Sequence, residues 1–195
     1  QVCVAAMQGE HAGCGAIHPD NVAPSLYGGF VLARSVDPPD IVRLPVPAGL
    51  ACAVLHPHQE VQTGAARALL GDTVPLHAAV RQWANLGALV SALYAGDLEL
   101  LSRSLVDHVA EPRRAGLVAG FHQVKSAAVD AGALGCSLSG SGPSIFALAR
   151  TLDQAHLVGQ AMAAAFGEAS GVAADLWVSP VGRTGARVIE GTGGR

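Results

Sequence analysis

Two short segments hold residues whose types and spacing could do chemistry. The first is Ser139-Gly140-Ser141-Gly142-Pro143, two glycines and two hydroxyls set between apolar runs. Glycine lets backbone N–H groups approach an anion closely and the serine hydroxyls can donate to it, so phosphate is the natural guest. The same composition also suits a tight hairpin that needs positive φ. Spacing excludes three familiar signatures. Ile145 stands where a GxGxxG fingerprint needs its third glycine, no lysine completes a Walker A loop, and no GxSxG elbow can be read. In the second segment Glu10 precedes His18-Pro19-Asp20-Asn21 by eight residues. An imidazole, a carboxylate and an amide so close together can hold an ammonium group or a hydroxyl about to react. Asp20 and Asn21 could equally close an Asx-turn on local backbone. His56-Pro57-His58 has the look of a metal pair, but no further ligand stands at a recognised spacing.

These residues need elements to position them. Val2, Val4, Ala5 and Met7 give residues 1–13 an apolar helical face, and the chain, opening on Gln1, reads as cut inside a helix. Residues 13–29, rich in Gly, Pro and Asn, read as an irregular loop. Strands are expected at 29–36, broken by Pro38-Pro39, and at 50–57, closed by Pro57. Helices follow: a short one from Thr63, one at 80–96 with Trp83, Leu86, Val90 and Leu93 inward, and one capped by Asp97 that Pro112 ends or kinks. Leu98, Leu101 and Leu105 mark the buried face of the last. Trp83 and Tyr94 are expected in a core or an interface. A helix at 115–131, two strand-like runs around the Ser/Gly turn, a helix at 153–167, a strand at 174–180 and a last strand in TGARVIEG complete an α+β sandwich.

Bulk properties agree with this class. Half of the 195 residues are hydrophobic, 14% are charged and 4% are aromatic, so the core is expected to be packed from small aliphatic groups. The net charge of -3 is spread without blocks, which argues against nucleic acid or an anionic membrane as partner. No apolar run reaches bilayer-spanning length and no basic leader is seen, so a soluble, cytoplasmic protein is expected. Cysteines 3, 14, 52 and 136 are widely spaced and read as reduced thiols.

The 18 residues GALGCSLSGSGPSIFALA resemble the third signature motif of the GHMP kinases, a Gly-rich turn beside the phosphate loop and the substrate. GEHAGCGAIHPDNVAPSLYGG is similar to the homoserine kinase pattern of a helix-end Glu, then Ser-x-His-x-Asp-Asn-Val-Ala-Pro and Gly-Gly, with Ala16 in place of the frequent Ser. Thr63-Gly-Ala-Ala-Arg67 and Glu111-Pro112-Arg113-Arg114 are similar to that family's Thr-x-x-x-Arg and Glu-Pro-x-Arg. The resemblance runs from Glu10 to the final ARVIEG.

It implies a GHMP kinase fold, with the remnant of an S5-like N-terminal domain at 1–45 and a ferredoxin-like C-terminal domain at 46–195. The implied reaction moves the γ-phosphoryl of ATP to the side-chain hydroxyl of L-homoserine, with Mg²⁺ as second cofactor, Glu10 as its ligand and a homodimer as the assembly. His18, Asp20 and Asn21 would line the homoserine site, Asp20 anchoring the ammonium, while Arg67 and Arg114 clamp the carboxylate, the task for which a planar guanidinium is best suited. Thr63 and Gly140 join that substrate set. Asn21 and Arg114 carry the implied catalytic roles, Ser139, Gly140, Ser141 and Gly142 line the nucleotide side, and Arg113 is expected in solvent. Another GHMP kinase, acting on mevalonate or a sugar, and a non-catalytic binding module are the other readings. The family's ATP loop, Pro-x-x-x-Gly-Leu-Gly-Ser-Ser, does not occur in these 195 residues, so the polypeptide alone is expected to be inactive.

Overall fold

The strand at Ala51–Pro57 alternates buried and half-buried residues along its whole length, as one strand of a sheet covered on one face must. The computed structural model describes residues 2–14 and 19–189, with the backbone alone for 10–14. The described residues form two compact units, one from 1–46 with 182–195 and the other from 47–181. The closing segment, expected with the C-terminal domain, thus groups with the first unit.

The first unit contains α1 (Val2–Cys14), α2 (Pro19–Tyr27), and the antiparallel hairpin of β1 (Phe30–Val36) and β2 (Pro39–Leu44). Cys3, Met7 and Ala23 form its small core with Val22, Leu26, Val31 and Ile41. Three expectations are corrected here. The stretch taken as an irregular loop contains α2, because Pro19 pre-sets the first-turn φ where no N–H is needed and Asp20 suits the positive end of the helix. Gly28, at φ 72°, follows the helix, and a Cβ there would lie 2.6 Å from the carbonyl carbon of Thr184. The strand expected in TGARVIEG is absent from its described part. Its described backbone bond is a single one, from Ala186 N–H to the Leu26 carbonyl, and Val188 is 95% exposed, so no ladder is available to it. Pro39, taken as a breaker, opens β2 at an edge position where its missing N–H costs nothing.

The second unit runs β3 (Ala51–Pro57), α3 (Thr63–Ala68), α4 (Leu76–Ala95), α5 (Leu98–Ser104), α6 (Glu111–Arg114), α7 (Phe121–Asp130), β4 (Gly135–Leu138), β5 (Ile145–Ala149), α8 (Leu152–Ser170) and β6 (Ala174–Pro180). The sheet is antiparallel in the order β4-β5-β3-β6. With α7 and α8 as crossovers this is the ferredoxin-like βαββαβ arrangement. Ala53, Leu55, Cys136, Leu138, Ile145 and Ala147 on one face meet Phe121, Val124 and Ala128 of α7 and Val158, Met162 and Phe166 of α8. Gly159 lets α8 sit close to β6, where a Cβ would stand 3.0 Å from Leu176. The opposite face carries Val54, Phe146 and Trp177 in register.

Helix boundaries follow their caps. Thr151 accepts from the Gln154 amide to open α8, and Gly171 ends it in the left-handed region. Asp97 opens α5 as expected, accepting from the Glu99 and Leu100 amides. That helix stops at Ser104, however, and Pro112 lies in the first turn of α6, opening a helix where it was expected to end one. The helix expected from 115 starts at Phe121 after a 3-10 turn, since Gly120 adopts φ 72°. Of the four residues expected inward on α4, only Leu93 is buried. Trp83 is 63% and Tyr94 65% exposed, so neither is core. No helix among the described residues is long and apolar enough to cross a membrane.

Candidate functional site

In the second unit three elements meet at Arg114. Its Nε donates to the Ala66 carbonyl on α3 at 3.0 Å and its Nη1 to the Gly140 carbonyl in the Gly-rich turn at 3.2 Å. Ala66 is buried, and Thr63 and Arg67 stand one helical turn apart on the exposed side of the same helix. Among the described residues no carboxylate pairs with Arg114, and no acceptor meets its Nη2. A half-buried guanidinium tethered by two neutral carbonyls keeps its charge and part of its fork for an incoming anion. Of the residues expected in the substrate set, Arg114 and Gly140 are therefore in contact, and Thr63 and Arg67 lie on the helix that Arg114 also touches.

The turn itself is a hairpin between β4 and β5. Ser139 N–H donates to the Ser144 carbonyl at 2.8 Å and Gly142 N–H to the Ser139 carbonyl at 3.0 Å. Gly140 and Gly142 adopt φ 60° and 83°, and the Gly142–Pro143 peptide is cis. A Cβ on Gly142 would press on Val118 at 3.3 Å, so this glycine answers to close packing as well as to conformation. The amides of Gly140 and Ser141 meet no described acceptor, which leaves two donors at an exposed tip. His56, at the end of β3, pairs its Nδ1 with Ser144 Oγ at 2.8 Å, and His58 pairs with Asp175 at 2.9 Å, which gives each half of the His-Pro-His segment its own partner.

Sequence reasoning missed how α6 is held. Asp107 accepts from the amides of Val109, Ala110 and Glu111 at 2.7–3.0 Å, capping a helix that buries no residue of its own. Glu111 accepts from Lys125 Nζ on α7 at 2.5 Å and from Ser137 Oγ on β4 at 2.6 Å. Lys125 is the only lysine in the chain, which was the one available signal of a special role. Arg113, expected in solvent, donates to the Thr73 carbonyl at 3.1 Å. Its reach back to the 71–75 loop follows from its place beside Arg114 on a helix of a single turn.

The first unit places Asp20 and Asn21 in the opening turn of α2, both exposed, with the Asn21 carbonyl accepting from Ser25 Oγ at 2.8 Å. His18 and the Glu10 side chain lie outside the described residues. Among the described residues no group of three or more His, Cys, Asp or Glu could hold a metal ion. Glu10 offers a carboxylate, the hard oxygen donor that Mg²⁺ takes alongside substrate phosphates, so the donor type fits. Burial pushes the Cys136 thiol up to about 12 and that of Cys52 to about 11, which removes both from nucleophilic chemistry near neutral pH.

A Gly-rich turn joined through an arginine to a helix on a ferredoxin-like sheet invites comparison with known kinases. Residues 89–168 match the family described as "GHMP kinases C terminal". The crystal structure of homoserine kinase from Cytophaga hutchinsonii aligns with a TM-score of 0.90 at 53% identity, covering 94% of this chain and 58% of that one. The chain is thus similar to the GHMP kinases in sequence and in fold. Its curated relatives are homoserine kinases: that of Chlorobium phaeovibrioides is 50% identical over 94% of this chain, and that of Thermococcus kodakarensis 44% over 91%. The chain spans 58–59% of the length of those two relatives. The mevalonate kinase of L. major in complex with R-mevalonate, at 19% identity and a TM-score of 0.67, shares the fold alone.

Proposed function

We propose that the protein carrying these residues is a homoserine kinase, transferring the γ-phosphoryl of ATP to the side-chain hydroxyl of L-homoserine to give O-phospho-L-homoserine for threonine biosynthesis. The observation that carries this reading is the Arg114 guanidinium, tethered to neutral carbonyls, one of them on the helix that carries Thr63 and Arg67, and paired with no described carboxylate. By the family resemblance, Arg67 and Arg114 are assigned to the substrate's carboxylate and Asp20 to its ammonium, with His18 and Asn21 in the same substrate set. Ser139, Gly140, Ser141 and Gly142 line the nucleotide side. In the reaction the hydroxyl oxygen forms a bond to the γ-phosphorus, the bond from phosphorus to the ADP oxygen breaks, and the hydroxyl proton is released to solvent. Positioning and charge neutralisation dominate such transfers, which fits a residue set without a strong base. Glu10 would hold Mg²⁺, which would supply charge neutralisation for the phosphates.

The test is a substrate panel of L-homoserine, mevalonate and galactose with the complete gene product, read as ADP release. L-homoserine is expected to be the preferred acceptor, and preference for mevalonate or a sugar contradicts the reading. The 195-residue polypeptide by itself, without the Gly-Leu-Gly-Ser-Ser loop, is expected not to turn over. The homodimer and the cytoplasmic location remain part of the same proposal by family resemblance, and sedimentation at micromolar concentration checks the first.

A further inference from the structure

We propose that Lys125 positions the Arg114 site by holding Glu111, so that α6 keeps its orientation and the Glu111 carboxylate is kept from neutralising Arg114. This rests on the reading of Arg114 as the guanidinium that takes the substrate's carboxylate. A helix of one turn does not hold itself, because nucleation costs more than its few hydrogen bonds return. In α6 none of the four residues is buried, so tertiary ties must fix it. Asp107 secures its opening turn. Glu111 then links it to α7 through Lys125 and to β4 through Ser137. Both of those elements belong to the buried core, through Val124 and Ala128 and through Cys136 and Leu138.

The charge arrangement is as informative as the anchoring. Glu111 and Arg114 stand three residues apart on one helix, a spacing at which opposite charges can pair. They do not pair here. The Glu111 side chain is 13% exposed and that of Lys125 26%, and this shielded pair consumes the carboxylate. Arg114 turns instead to the Ala66 and Gly140 carbonyls. A lysine on the neighbouring helix therefore leaves the arginine's charge available to a ligand.

The decisive variant is Lys125→Met in the complete protein. It releases Glu111 toward Arg114, and KM for L-homoserine rises about tenfold, the equivalent of one charge-assisted hydrogen bond, with kcat and KM for ATP little changed. Adding Glu111→Gln removes the competing carboxylate and brings KM back toward the wild-type value, whereas two purely structural losses would compound. An arm independent of turnover reads the arginine itself: the Arg114 Nε–H resonance, assigned by its loss in Arg114→Lys, shifts in Lys125→Met and returns in the double variant. Should Lys125→Met fail to fold, Lys125→Gln keeps a neutral donor to Glu111 but loses the charge that competes with Arg114, and KM is expected to rise in the same direction by a smaller factor. Unchanged KM and resonance, or a double variant no better than the single, overturns the inference. If the wild-type protein does not phosphorylate homoserine, the functional reading falls, and the resonance arm alone decides this one.

Discussion

Arg114 is legible in sequence only as the last letter of Glu-Pro-x-Arg, and its tethers come from elements 48 and 26 residues away. Glu111 in the same motif has partners 14 and 26 residues off, which no local pattern reports. Asp20 is the reverse case. Its type and neighbours are plain in the sequence, and its place in the first turn of α2 came only with the structure. In the complete protein Asp20→Asn is expected to raise KM for homoserine strongly with kcat largely kept. A lost kcat at unchanged KM would make Asp20 a base. The thiols give a prediction with a defined sign. Because burial raises Cys52 and Cys136 above their ordinary 9.0, the folded state holds these protons more tightly than the unfolded chain. Their contribution to stability is full below pH 9 and is lost as pH rises toward about 11 to 12. Iodoacetamide at pH 8 should therefore label both slowly in the native protein and quickly in urea, and equal rates in the two states would refute the burial.

At the scale of elements, close approach decides more than propensity. Gly135 begins β4 where a Cβ would meet Leu105 Cβ at 2.5 Å and Cδ1 at 2.8 Å. Gly135→Ala should cost about 1–3 kcal/mol by overpacking, read from the urea midpoint of the purified chain; an unchanged midpoint would mean Leu105 can move aside. Elements with strong internal signals were legible. The strand read at 50–57 and the Asp97 cap matched the structure within a residue, and the strand at 174–180 was read at its observed bounds. Those that depend on a distant partner were not. β2 follows a Pro-Pro pair and exists because β1 offers it a ladder, while 184–189 has the composition of a strand and no ladder to join. The apolar spacing of α4 was real, but the helix buries only Ala92 and Leu93, so periodicity identified the helix and misjudged which face is covered.

For the molecule as a whole, the four-stranded order β4-β5-β3-β6 gives the second unit its role as the frame on which α3, α6 and the Gly-rich turn converge. The α+β class was readable from the alternation of strands and helices, and the ferredoxin-like topology came from the family resemblance. The division of the described chain was not, because residues after 181 return to the first unit through contacts such as Ala186 with Leu26 and Gly29 with Gly182. The central claim is that Arg114 binds the carboxylate of an amino-acid substrate. It is tested most directly by kcat/KM of the complete protein for L-homoserine against 3-aminopropan-1-ol, the same alcohol without the carboxylate, in wild type and Arg114→Ala. The wild-type preference for homoserine is expected to fall about ten- to a hundredfold in the variant, the worth of a charged hydrogen bond. An Arg114→Ala enzyme that keeps the full preference would contradict the account.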